Sequence, residues 1–89
     1  MKIILELFGA SRDFSDKDFL QFEIKKEIEV KDLKKEIISY LDTNFNGNKN
    51  FKKIVESSAF CSEDNNIIND SYKISKDQKI GIIPPIGGG

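Results

Sequence analysis

The sequence predicts an α+β roll, a mixed sheet packed on one main helix with a flexible C-terminal glycine tail. Three observations carry this. "KIILELF" and "FLQFEIK", near the start, alternate apolar and polar residues with the period of a half-buried strand. A middle stretch switches to the helical period. The last run, "KIGII", is rich in isoleucine and is closed by paired prolines before three glycines. Strand, strand, helix, short strands, strand is the order of a hairpin with a helix laid across it and a final strand returning to the sheet.

Taken in order, Lys2 to Phe8 is a strand with Ile3, Leu5 and Leu7 on one face and Lys2, Ile4, Glu6 and Phe8 on the other. "GASRDFSDKD" follows as a polar loop. In "FLQFEIK", Leu20, Phe22 and Ile24 point inward while Gln21, Glu23 and Lys25 point outward, and two strands around a loop read as a hairpin. Val30, Leu33, Ile37, Tyr40 and Leu41 then fall on one stripe of a helix. That helix is expected from about Val30 to Asp42, stopping at "NFNGN", where Gly47 and its neighbouring asparagines break it. Glu29 stands where Ser, Thr or Asp would be the usual cap, although its charge suits the helix dipole.

Phe51, Ile54 and Val55 indicate a short helical turn, "SAFCS" a brief strand, and "EDNN" a turn into the extended pair Ile67-Ile68. "NDSYKISKDQ" reads as a turn-rich connection. The last strand sets Ile80 and Ile82 on one side and Lys79, Gly81 and Ile83 on the other; the prolines end it, because proline cannot donate to a ladder. First and last strands lying side by side in parallel would close the sheet. The result is a β-grasp, or ubiquitin-like, roll over residues 1–83, with residues 84–89 as tail.

Composition narrows the function. The 89 residues make one domain, large enough to bury about 60–65% of its unfolded surface. The 14 Lys+Arg and 15 Asp+Glu are interleaved, as in "KKEIEVKDLKKE", which is the pattern of a solvated surface. That argues against a nucleic-acid stripe or a polybasic membrane anchor. No stretch approaches the roughly 18 apolar residues of a membrane span, and the N-terminus lacks a signal-peptide pattern. With Cys61 alone there is no internal disulfide, so the expected location is the cytoplasm. Without histidine the chain lacks the commonest general base and metal ligand, and one cysteine cannot build a zinc or iron–sulfur site. No metal site and no catalytic side chain are expected.

The tail remains. A carboxylate is inert until activated, and adenylation makes it an acyl phosphate anhydride open to a thiol or sulfide. The six residues from Pro84 to Gly89, extended, reach about 20 Å beyond the sheet, far enough to enter a partner's nucleotide site. Glycines lack Cβ and pass a narrow channel. The prolines stiffen the root and lower the entropy lost on threading.

These residues carry a resemblance. "IGIIPPIGGG" resembles the C-terminus of the small subunit of molybdopterin synthase, a family whose last strand ends in two prolines, an aliphatic residue, a small residue and Gly-Gly. Pro84, Pro85, Ile86, Gly87, Gly88 and Gly89 fill those slots one for one. The likeness spans most of the chain. "LFGASRD" resembles the family's first strand and Arg-acid pair, "VKDLKKEI" its helix start, "AFCS" and "IIND" its middle strands, and "ISKDQKIGIIPP" its closing turn and strand. Two positions depart. The family's D-G-D turn reads Lys76-Asp77-Gln78, where Asp77 is expected to take the positive φ of the glycine, and Glu29 replaces the usual Thr or Ser.

The resemblance implies a sulfur carrier without a cofactor of its own. An adenylyltransferase of the ubiquitin-activating type would use ATP to adenylate Gly89, and a sulfurtransferase would convert it to a thiocarboxylate. Gly88 would give clearance beside the reacting group, and the tail would insert into the large synthase subunit to deliver sulfur to a pterin precursor. The resemblance also places Phe8, Ile67 and Ile83 at the hydrophobic contact with that subunit. Alternation independently turns Phe8 and Ile83 outward, but says only that Ile67 and Ile68 face opposite ways.

Two other readings stay open: a carrier for thiazole synthesis or another thiolation pathway, and a ubiquitin-like interaction module that is never activated. Thiazole carriers are generally shorter and lack the paired prolines. Cys61 is expected to be a buried or half-buried strand residue without a role, and Arg12 a surface residue.

Overall fold

The computed structural model describes residues 1–85. Seven strands and two α-helices form in the order β1 (Lys2–Leu7), β2 (Phe19–Glu23), β3 (Ile28–Glu29), α1 (Val30–Asn44), α2 (Lys49–Ser57), β4 (Ala59–Cys61), β5 (Ile67–Ile68), β6 (Lys73–Ile74) and β7 (Gln78–Ile83), with a 3-10 helix, Gly9–Phe14, after β1. The main sheet has the order β2-β1-β7-β4-β5. β1 pairs antiparallel with β2, Leu5 opposite Leu20, and parallel with β7, Leu5 opposite Ile80. The hairpin expected from the alternation and the parallel closure expected from the order of elements are both present.

Alternation explains the core. Ile3, Leu5 and Leu7 from β1, Leu20 and Phe22 from β2, and Ile80 and Ile82 from β7 are all buried on one face of the sheet. The stripe Val30, Leu33, Ile37 and Leu41 of α1 joins them in one cluster. Tyr40, also expected on the stripe, lies at its margin, 36% exposed, with its ring edge-on to Phe22 at 6.0 Å. α1 runs two residues past the expected end, and the turn beyond it uses the left-handed region at Asn46 and Gly47.

The start of α1 is held without the usual cap. Asp32 reaches back to accept the Glu29 N–H at 3.0 Å, and the N–H groups of Val30 and Lys31 donate to the carbonyls of Tyr72 and Asp70. Those carbonyls border β6, which pairs with β3 in a second, two-stranded sheet. In the sequence the β6 region shows only a turn-rich connection, because two residues are too few for alternation to register.

Two further segments are more ordered than their sequence indicates. The loop after β1 contains the 3-10 helix because Phe14 is fully buried, its ring 5.1 Å from that of Phe51. The expected helical turn is a nine-residue helix, α2, capped by Asn48, whose side chain accepts the N–H groups of Asn50 and Phe51. Asp77 corrects the turn expectation. The non-glycine residues with positive φ among those described are Asn46 and Asn65. Asp77 instead accepts the Lys2 N–H at 2.8 Å, fastening the start of β1 beside β7. Among the described residues no helix is long and apolar enough to cross a membrane.

Candidate functional site: the bare sheet face at the root of the tail

Both helices contribute to the core on one face of the sheet, so the interest lies on the other. Residues directly opposite one another in neighbouring strands point to the same face. The pairs Phe19–Glu6, Glu6–Gly81, Gly81–Cys61 and Cys61–Ile67 therefore run as one row across all five strands. Beyond this row, toward the end of β7, Ile83 stands opposite Ala59. On the side away from the tail the face turns polar, with Gln21 opposite Ile4 and Ile4 opposite Lys79.

Phe8, Phe19 and Ile83 are each 37–38% exposed, and Ile67 is 68% exposed. Phe8 and Ile83 thus lie where alternation put them. For Ile67 the structure removes the ambiguity: it faces out, while Ile68 packs against the core. These apolar side chains sit on one surface with charge at its rim. Lys17 holds its ammonium 5.9 Å from the Phe19 ring centroid, and Lys79 donates its backbone N–H to Glu63 at 2.6 Å.

Gly81 makes room for the Phe8 ring. A Cβ built at Gly81 would stand 3.1 Å from Phe8 Cε2 and 2.7 Å from Cys61 Sγ. The missing side chain leaves a notch that the ring and the thiol fill from either side, and Cys61 is left only 8% exposed. Ser11, fully buried, holds the backbone beneath Phe8: its Oγ accepts the Phe8 N–H at 3.0 Å and donates to the Phe8 carbonyl at 2.6 Å.

The tail leaves from beside this point. Gly9 has φ +56°, a conformation costly for any residue with a Cβ, and a Cβ there would meet Pro84 Cδ at 3.8 Å. Pro84 is buried and Pro85 exposed. The root of the tail is therefore seated against the turn that follows Phe8. Ile86, Gly87, Gly88 and Gly89 lie outside the described residues. Arg12 is exposed on the 3-10 helix.

No protein-family profile and no curated protein sequence matches the chain. Solved structures do. A Pyrococcus furiosus protein described as molybdopterin converting factor subunit 1 superposes with a TM-score of 0.68 at 17% identity, covering 96% of this chain and 98% of that one. SAMP1 from Haloferax volcanii superposes with a TM-score of 0.70 at 11% identity, over 100% of both chains. The fold is the ubiquitin-like β-grasp. At such identities the likeness carries the fold alone.

Sequence reasoning missed Phe19, Glu6, Ser11, Gly9 and Gly81 as contributors to this surface. Phe19 and Glu6 were accessible from alternation, which puts them on the outward face. Nothing in the sequence pairs Ser11 with Phe8 or Gly9 with Pro84, since the second contact joins residues at opposite ends of the chain.

Proposed function

We propose that this β-grasp protein is a sulfur carrier, the small subunit of a molybdopterin synthase, that reacts through the carboxylate of Gly89. The observation that carries the reading is the junction of two features: "PPIGGG" leaves the sheet at β7, and the surface beside its root is the exposed apolar group Phe8, Ile83 and Ile67. A large exposed apolar patch rimmed by polar residues is the mark of a partner surface. The description of the Pyrococcus furiosus neighbour supports the pathway.

In this reading the Gly89 carboxylate attacks the α-phosphorus of ATP in an adenylyltransferase of the ubiquitin-activating type, and pyrophosphate leaves. The persulfide of a sulfurtransferase displaces AMP to form an acyl disulfide, and a second thiol then attacks the sulfurtransferase sulfur, releasing the thiocarboxylate and leaving a disulfide behind. The large synthase subunit then binds the sheet face, with Phe8, Ile67 and Ile83 at the contact. Pro84, Pro85, Ile86 and Gly87 carry the reacting end inward, and Gly88 keeps the backbone slender beside it. The thiocarboxylate sulfur attacks a side-chain carbon of the pterin precursor and displaces the oxygen substituent there, and water cleaves the resulting acyl–sulfur bond, leaving the sulfur on the pterin and restoring the carboxylate. The chain is consumed and recycled as a co-substrate. Its reliance on ATP and reduced sulfur fits a cytoplasmic setting.

High-resolution tandem mass spectrometry of the C-terminal peptide tests the chemistry, on protein incubated with ATP, the activating enzyme and a sulfur source. Sulfur in place of one oxygen on Gly89 is the expected result. Fragment ions matter because oxidation of Met1 or Cys61 adds nearly the same nominal mass. Deleting Gly89 should abolish sulfur transfer and leave the fold unchanged. A persistent unmodified carboxylate, or a Gly89 deletion that still supports cofactor synthesis, would favour the interaction-module reading.

A further inference from the structure

The outward face is apolar around Phe8, Phe19, Ile67 and Ile83, yet one carboxylate stands inside it. Glu6 lies directly opposite Phe19 on one side and Gly81 on the other, and it is half-buried. The ion pairs among the described residues, Lys31–Glu29 and Lys34–Asp70, lie around the start of α1 and leave Glu6 out. Two cations border the row: Lys17 lies over the Phe19 ring, and Lys79 stands two residues along β7 from Gly81. Glu6 is only half-buried, so part of its surface stays open to water in the free protein.

A protein that covers this face strips that water. A desolvated carboxylate left without a counter-charge is strongly unfavourable, whereas a positioned cation offsets the loss and excludes surfaces that lack one. We propose that the partner on this face is a protein surface, apolar overall, that places one lysine or arginine opposite Glu6, and that Glu6 is the specificity-determining residue of the interface. The inference rests on the carrier reading, and the occupant it commits to is the large subunit of the synthase.

Replacing Glu6 by leucine decides the matter, because the two kinds of partner surface give opposite signs. Against a surface carrying the cation, Glu6→Leu strands that charge and weakens binding by about tenfold or more, and the near-isosteric Glu6→Gln weakens it in the same direction. Against a wholly apolar surface, Glu6→Leu removes a desolvation cost and tightens binding. The measurement is a calorimetric titration of the full chain into the large synthase subunit of the same organism, with melting curves to establish that each variant is folded. If the wild-type chain binds and Glu6→Leu binds equally or more tightly, the inference is overturned and the carrier reading stands. Should Glu6→Leu fail to fold, Glu6→Gln carries the test, and unchanged affinity overturns the inference. Failure of the wild-type chain to bind counts against the carrier reading itself and removes the inference with it.

Discussion

Ser11 is joined to Phe8 by two hydrogen bonds, from a side chain wholly out of solvent. Ser11→Ala takes away the acceptor of the Phe8 N–H, and the cost of leaving a polar group unpaired puts the destabilisation at about 1–3 kcal/mol, readable by urea denaturation. Alanine at this position with unchanged stability would show that water reaches the Phe8 amide. Gly81 makes a different demand: with Cys61 Sγ at 2.7 Å and Phe8 Cε2 at 3.1 Å from any added Cβ, Gly81→Val must displace one or both. Overpacking of this kind costs about 1–3 kcal/mol. It should also expose the Cys61 thiol, and faster alkylation than in the wild-type chain, where only 8% of the residue is accessible, is the expected readout. Alternation marked Gly81 as outward-facing, but the reason for a glycine there appears only when β1, β4 and β7 are assembled.

Helix α2 shows how a local signal and a long-range one divide the information in an element. Its cap is local: Asn48 precedes the helix and its Oδ1 accepts from the N–H groups of Asn50 and Phe51. Its packing is not, since Phe51 rests between Phe14 and Phe45, 5.1 and 5.0 Å away. Nine residues are marginal for an isolated helix, so α2 depends on both. Asn48→Ala is expected to cost about 1 kcal/mol and to speed hydrogen exchange within α2 more than within α1. Equal acceleration in both helices would mean that they open together. The small β3–β6 sheet was illegible for the converse reason: it consists of Ile28 opposite Ile74 and Glu29 opposite Lys73, and pairs that short have no periodicity to detect.

At the scale of the molecule, the sheet has a covered face and a bare one. The core side chains of β1 and β7 are fully buried, while Phe8 and Ile83, on the opposite face, keep 37% of their surface. Ile83→Asp and Phe8→Asp should therefore leave the melting temperature within a few degrees of wild type. Both should weaken docking to the large synthase subunit, measured in the same titration as the Glu6 variants. Loss of the folded state in either variant would show that these side chains stabilise the sheet from outside, through the Gly81 notch or the seat of Pro84.

The sequence by itself determined the strand faces, the α1 stripe and the outward aim of Phe8 and Ile83, because each depends on periodicity within one short segment; the parallel closure of β1 on β7 was legible from the order of the elements. The tail motif was equally legible, being contiguous. Only the tertiary structure decided that Ile67 joins that surface, that Pro84 seats against Gly9, and that Glu6 is the carboxylate set among these apolar groups. Those facts depend on register between strands distant in the chain, and register is decided by how the whole core packs, not by any one segment.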